Sequence, residues 1–343
     1  MTSNDNAVLH PKGAQLHAIA LPSNQPVDRF YAGGAKISAF RGETPAPPMT
    51  PEDWVASTTS VRGDEPSGQT RLPSGELLAS AIERDPIGWL GAAHVERFGV
   101  DARLLVKLLD AGQRLPVHAH PDAAFARDQL GTNHGKAEAW YILSPGTVHL
   151  GLIRSVTAEE LRDLVDHQQI EKLLELTHAV HVKPHDTVFV PTGVLHAIGE
   201  GVFLAEVQEP EDLSILLEWK DFALNGAADG HLGLGFDVAL TAVEREGRTR
   251  DEIEALVRRG VADEAALVAA ADQYFRLEQV TVHTRIDAGF AVVIVLDGPI
   301  ELTDATASVQ HFDSGATIVV PAAAGPFTLS GGTALVARPP LGS

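Results

Sequence analysis

The sequence predicts a mainly β protein in which two β units are joined by a helical connector. Three observations predict it. Short apolar runs bounded by Gly, Pro, Asp or His recur between residues 103 and 207. Helical periodicity then takes over before a second stretch of short runs and turns over 277–336. The length, 343 residues, corresponds to about two domains at ~150 residues each.

Taken in order, residues 1–50 read as loops and short strands, punctuated by Ala32-Gly33-Gly34-Ala35 and Pro45-Ala46-Pro47-Pro48. Pro51-Glu52-Asp53-Trp54 opens a short helix or turn. Glu76 to Phe98 is helical, with Leu77, Leu78, Ile82, Ile87, Trp89 and Leu90 on an apolar face. Strands follow at Arg103 to Asp110, Ala139 to Leu143, His181 to Lys183, Thr187 to Val190 and Val202 to Val207. Between them Thr157-Ala158-Glu159-Glu160 is a capping-box pattern, and Leu161, Leu164, Val165, Ile170, Leu173 and Leu174 follow at helical spacing. A second box, Thr249 to Glu252, opens a helix to about Arg259, and another helix covers Glu264 to Phe275. The last β unit turns at Asp287-Ala288-Gly289, Asp297-Gly298-Pro299 and Ser330-Gly331-Gly332.

Composition narrows the function classes. Hydrophobic residues make up 44% and charged residues 21%, enough apolar material for a sizeable core. With 26 Lys and Arg against 46 Asp and Glu, the formal charge is −20, which argues against nucleic-acid or anionic-membrane partners. The most apolar run, Phe290 to Leu296, is strand-length and far short of a membrane span. Met1 to Asn6 lacks the basic start of a signal peptide, so a cytoplasmic protein is expected. There is no cysteine, which leaves histidines and carboxylates as the candidate chemistry.

Of the 15 histidines, His118 and His120 stand apart. At i and i+2 on a strand, both rings point to one face and can hold one metal ion. Glu138 stands at the mouth of the apolar run Ala139-Trp140-Tyr141-Ile142-Leu143, and His196 follows the tight turn Pro191-Thr192-Gly193. Three imidazoles and a carboxylate from neighbouring strands suit a divalent zinc, manganese or iron ion with positions open for water or substrate. Gly112, five residues, His-x-His, then Glu, and later Pro-x-Gly-x-x-His is the order of the two cupin motifs. The fold expected is therefore a cupin-type β barrel, or jelly roll, with helical insertions over 1–225, a helical connector over 226–275 and a cupin-like β domain over 276–343.

From about Arg29 to Phe222 the sequence resembles the type I mannose-6-phosphate isomerase family, cupin-fold, zinc-dependent aldose–ketose isomerases. The resemblance rests chiefly on Val117-His118-Ala119-His120-Pro121-Asp122, Asn133-His134-Gly135-Lys136-Ala137-Glu138 and Val190-Pro191-Thr192-Gly193-Val194-Leu195-His196-Ala197. It implies His118, His120, Glu138 and His196 as metal ligands, with His118 where the family usually has Gln. It also implies Lys136 near the sugar oxygens and Glu206 as the carboxylate that moves the proton. His134 is a further candidate for lining the pocket. The family arginine, ten residues after that carboxylate, is here Leu216. Lys220 and Arg62 are the basic residues offered in its place. A lysine or loop arginine lacks the same preset bidentate geometry, so reduced selectivity for a phosphorylated sugar is expected.

The function these implications support is metal-dependent isomerisation of a small sugar or sugar phosphate, mannose-6-phosphate to fructose-6-phosphate being the family default. Three other readings stay open: an isomerase or epimerase of an unphosphorylated sugar, a non-catalytic sugar-binding cupin that keeps its metal for structure, and an iron dioxygenase. Oligomeric state is not legible.

Overall fold

The computed structural model describes residues 16–262, 265–281 and 283–341. Its strands form three antiparallel sheets rather than one closed barrel, and two of these sheets enclose the histidines in a jelly-roll-like arrangement. The six-stranded sheet runs Val257–Arg258, Thr187–Val190, Glu138–Ser144, Phe203–Gln208, Leu105–Asp110, Glu52–Val55. The five-stranded sheet runs Ile215–Leu216, His118–Ala119, His196–Ile198, Gly146–Leu152, Thr177–Val182. Strands of the six-stranded sheet are buried along most of their length, so they read as continuous apolar runs instead of alternating ones.

The third sheet has seven strands, six from the C-terminal unit and one, Ile19–Leu21, from the start of the described chain. The expected partition is thus crossed twice. Ile19–Leu21 pairs with Thr317–Val320, and Val257–Arg258, from the connector, pairs with Thr187–Val190. Arg41 ties the units together: its guanidinium donates to Asp53 Oδ2 at 2.9 Å, Thr317 Oγ1 at 2.6 Å and the Leu21 carbonyl at 2.7 Å.

Several local expectations are corrected. Glu52–Val55 is a strand, because it docks as the edge of the six-stranded sheet with Trp54 fully buried. Residues 1–50 also contain a helix, Ala35–Arg41. The long helix of 76–98 is three short ones, Leu78–Arg84, Pro86–Leu90 and Ala92–Phe98. Pro86 cannot continue the first, and Asp85 caps the second by accepting from the Gly88 N–H at 3.0 Å. The helix after Thr249 stops at Glu254 and gives way to the strand Val257–Arg258. Of the helix expected over 264–275, Glu264 lies outside the described residues, and the remainder holds only a single 3-10 turn at Ala269–Ala271.

Two of the expected turns, Asp297-Gly298-Pro299 and Ser330-Gly331-Gly332, are instead bulges inside the long paired strands Ala291–Thr303 and Phe327–Arg338. Glycine is needed there because the two backbones nearly touch. A Cβ on Gly332 would sit 1.8 Å from the Asp297 carbonyl oxygen.

Candidate metal centre

The centre lies between the six- and five-stranded sheets, and each contributes one row of side chains. In the six-stranded sheet Trp54, Lys107, Glu206 and Trp140 are directly paired across four strands, so they share one face. Glu138 stands two residues from Trp140 on that face. In the five-stranded sheet the row is Leu216, His118 and His196. His120 follows two residues after His118. The turn that delivers His196 places Gly193 at φ +80°, and the Gly193 N–H donates to the His120 carbonyl at 2.7 Å. That bond locks the two histidine segments together.

His118, His120 and His196 are buried, and one ring nitrogen from each lies within 4.8 Å of those of the others. The rings are packed 4.0 to 5.0 Å apart between centroids. Each Nδ1 faces a backbone carbonyl: Pro116 at 2.7 Å, Leu213 at 2.6 Å and Val194 at 2.8 Å respectively. A carbonyl can only accept, so each ring carries its proton on Nδ1 and turns the Nε2 lone pair inward.

Glu138 stands beside the three rings. Its Oε2 lies 3.0 Å from His120 Nε2 and its Oε1 lies 3.3 Å from His196 Nε2. Carboxylate oxygens therefore face imidazole lone pairs, and Glu138 Oε2 and His196 Nε2 are both buried without a hydrogen-bond partner. A cation among them would relieve that arrangement, and donors of this type suit zinc, manganese or iron. Lys136 Nζ supplies part of the charge, at 3.2 Å from both Glu138 Oε2 and His120 Nε2.

Burial, followed by the Lys136 ammonium, holds His120 down at about 3. Burial, then the His196 and His120 rings, holds His118 well below the usual imidazole range. Burial alone would raise Glu138, but Lys136 and His120 hold it well below the usual carboxylate range. His118, His120 and Glu138 are thus held in the forms that a metal would need at neutral pH. An unperturbed imidazole would make binding weaken below about pH 6, and burial moves that loss lower.

Glu206 is buried beside them. Its Oε2 accepts from Trp140 Nε1 at 3.2 Å, and the same indole N–H reaches Glu138 Oε1 at 3.0 Å. Its Oε1 accepts no hydrogen bond and has Lys107 Nζ at 3.5 Å. Burial, then the Glu138 charge, raises the Glu206 carboxyl above its ordinary value.

His118, Lys136, Glu138 and Glu206 open on a cavity of ≈ 250 Å³. Arg62 reaches its rim. A second cavity, of ≈ 580 Å³, shares Arg62 and Asp212 with it. His134 lines this second cavity and not the first, because its ring is held by Asp101 Oδ2 at 2.6 Å and Arg103 Nη1 at 3.1 Å. Lys220 is not brought to either cavity. Leu217 and Glu218 are buried just before it, and the chain then turns outward, leaving Lys220 exposed.

Sequence reasoning passed over four residues of the smaller cavity: Arg29, Tyr31, Glu52 and Lys107. Glu52 accepts from Tyr31 Oη and Trp54 Nε1, both at 2.6 Å, and has Lys107 Nζ at 3.6 Å. Burial alone would raise Glu52, but Lys107 and Arg29 hold it far below the carboxylate range. The signal available for Lys107 was its position: a lone cation inside Leu104-Leu105-Val106-Lys107-Leu108-Leu109, a strand apolar on both faces.

Comparison with solved structures places this architecture. Over 94% of its length the chain superposes on all of the mannose 6-phosphate isomerase from Bacillus subtilis, with a TM-score of 0.72 and 21% identity. It covers 100% of the enzyme of that name from Salmonella typhimurium with a TM-score of 0.71 and 16% identity. The chain has the fold of the mannose-6-phosphate isomerases. In sequence it is 36% identical over 190 residues to a mannose-6-phosphate isomerase of Streptococcus mutans, a match to 54% of this chain and 55% of that one. A Bacillus subtilis protein of the same name is 36% identical over 117 residues, 33% of this chain and 36% of its own. The chain therefore spans about half the length of the curated relatives it matches. No family model matches it. Among the described residues no helix is long and apolar enough to cross a membrane.

Proposed function

We propose that this protein is a metal-dependent aldose–ketose isomerase of a small sugar, of the size of mannose or its 6-phosphate, acting in the cytoplasm. The observation that carries the reading is one cavity onto which His118 of the buried three-histidine cluster, Glu138, the raised carboxyl of Glu206 and two lysines all open. The names of the relatives with this fold support the same class of reaction.

His118, His120, His196 and Glu138 would hold one divalent ion, zinc by preference, which when bound supplies Lewis-acid polarisation of the sugar's carbonyl and neighbouring hydroxyl. The protein's part is to move one proton between C2 and C1 of the sugar. Glu206 Oε1 accepts the proton from C2 and returns it to C1, while the hydroxyl proton passes from O2 to O1 through the enediol. A carboxyl raised by burial is a stronger base than one in water and suits this task. Trp140 Nε1 aims the carboxylate through its other oxygen. Lys107, at 3.5 Å, compensates its charge without a hydrogen bond that would occupy Oε1. Lys136 donates toward the oxygen atoms whose charge shifts.

The test is a panel of aldoses, ketoses and their phosphates incubated in deuterated water with zinc-loaded protein and followed by proton NMR. Loss of the C2 proton signal together with appearance of the ketose is expected. Binding without exchange would favour a sugar-binding protein that keeps its metal for structure, and oxygen consumption would point to an iron dioxygenase.

A further inference from the structure

We infer that the site takes a neutral sugar in preference to its phosphate, and that Arg29 holds hydroxyl groups outside the reacting carbons. The inference rests on the isomerase reading above and concerns which sugar the cavity is built for.

Arg29 comes from a loop near the start of the described chain and lines the ≈ 250 Å³ cavity with a side chain that is 12% exposed. Its Nη2 lies 3.8 Å from Glu52 Oε1 and 3.9 Å from Asp212 Oδ2. Those distances balance the charge but exceed hydrogen-bond reach. Its Nε is buried and has no hydrogen-bond partner. The guanidinium is thus a compensated charge with unused donors, and Asp212 beside it is an acceptor.

A sugar hydroxyl donates and accepts, so it can bridge Arg29 and Asp212 at once. A phosphate only accepts, and at Arg29 it would meet two carboxylates within 4 Å of the guanidinium.

The rest of the wall repeats the pattern. Lys107 lies between Glu52 and Glu206, at 3.6 and 3.5 Å, and Lys136 is 3.2 Å from Glu138. Arg62 is the exception: it is exposed, and it meets Asp212 Oδ2 through its backbone N–H at 3.1 Å rather than through its guanidinium. These four cations share the cavity wall with five carboxylates, counting Asp229. Leu216, directly paired with His118, lines the wall with Leu224 and Leu232, so that side offers hydrocarbon where an anion needs a donor. The −20 background adds repulsion.

The experiment measures calorimetric binding of mannitol and mannitol 1-phosphate, which cannot isomerise, to zinc-loaded protein, alongside kcat/KM for mannose and mannose-6-phosphate. Mannitol is expected to bind at least as tightly as its phosphate. Arg29→Gln should weaken mannitol at least ~10-fold, and Arg29→Lys should recover little of that, since a point charge lacks the fork of donors. Arg29→Lys keeps the charge between Glu52 and Asp212, and so serves if the glutamine variant does not fold. Leu216→Arg should shift the ratio toward the phosphate by ~10-fold or more.

Tighter binding of the phosphate by the natural protein, binding of neither compound, or unchanged mannitol affinity in both Arg29 variants overturns the inference. The two readings fail separately. Mannitol binding without turnover of any sugar sinks the isomerase reading and leaves the substrate class standing. Turnover that prefers mannose-6-phosphate does the reverse.

Discussion

Three imidazoles whose Nδ1 protons are committed to the Pro116, Leu213 and Val194 carbonyls have their orientation set before any metal arrives. Removing one of them should therefore cost more than the ~10–100-fold in affinity that losing a ligand's hydrogen-bond partner costs. His120→Ala is expected to lose most of its metal on dialysis, read by elemental analysis, and full occupancy would mean the ion sits elsewhere. Glu206→Gln should keep both metal and fold, because the amide is nearly isosteric, yet turn over ~100-fold or more slowly. A near-normal kcat would make Glu206 structural.

Acid should act on the metal-free protein through the same buried rings. His120 is held at about 3 in the folded state against an ordinary 6.5. As pH falls below about 6.5 the unfolded chain takes up the proton and the folded one does not, so stability declines toward pH 3. Thermal midpoints measured without metal at pH 8 to 5 should fall more steeply for wild type than for His120→Gln, and parallel curves would contradict the assignment.

Among the elements, capping patterns behave as local devices. Thr249 and Glu252 form the reciprocal box their spacing announces: the Thr249 hydroxyl accepts from the Glu252 N–H at 3.3 Å, and the Thr249 N–H donates to Glu252 Oε2 at 2.7 Å. Thr249→Ala should cost about 1 kcal/mol, visible as a lower thermal midpoint, and no change would show that tertiary contacts alone hold Arg250–Glu254. At Thr157 only half the box forms, because Glu160 is drawn away to Arg154 at 2.6 Å. Both pairs were legible because their partners are three residues apart. The bulges at Asp297 and Gly331 were not: Gly and Pro mark a break in backbone regularity, and only the pairing partner decides whether that break becomes a turn or a bulge.

For the whole molecule, a formal charge of −20 builds self-repulsion into the folded state. Raising NaCl from about 10 to 150 mM shortens the Debye length from ~30 to ~8 Å and should raise the thermal midpoint at pH 7. A fall would show that attractive pairs such as Arg41 with Asp53, at 2.9 Å, dominate instead. The same link from Arg41 to Thr317, together with Ile19–Leu21 on the C-terminal sheet, predicts that the N-terminal and C-terminal units unfold together.

By itself the sequence pointed to the β class, to four strands of the six-stranded sheet, and to the three histidines and Glu138 that the fold brings side by side. The reason is geometric: side chains two apart on a strand share a face, so His118 and His120 announce a common direction, and the Pro191-Thr192-Gly193 turn announces where His196 begins. Only the tertiary structure decided which groups meet those ligands. Arg29, Glu52, Lys107 and Asp212 converge from separate segments, and nothing in Glu52's neighbours distinguishes a helix start from the edge strand it becomes. His134 and Lys220, which sequence spacing grouped with the site, are turned away by the Asp101–Arg103 contacts and by the outward course of the chain after Glu218. Pairing register and the facing of two sheets are long-range choices, made by burial of whole faces, and no single segment encodes them.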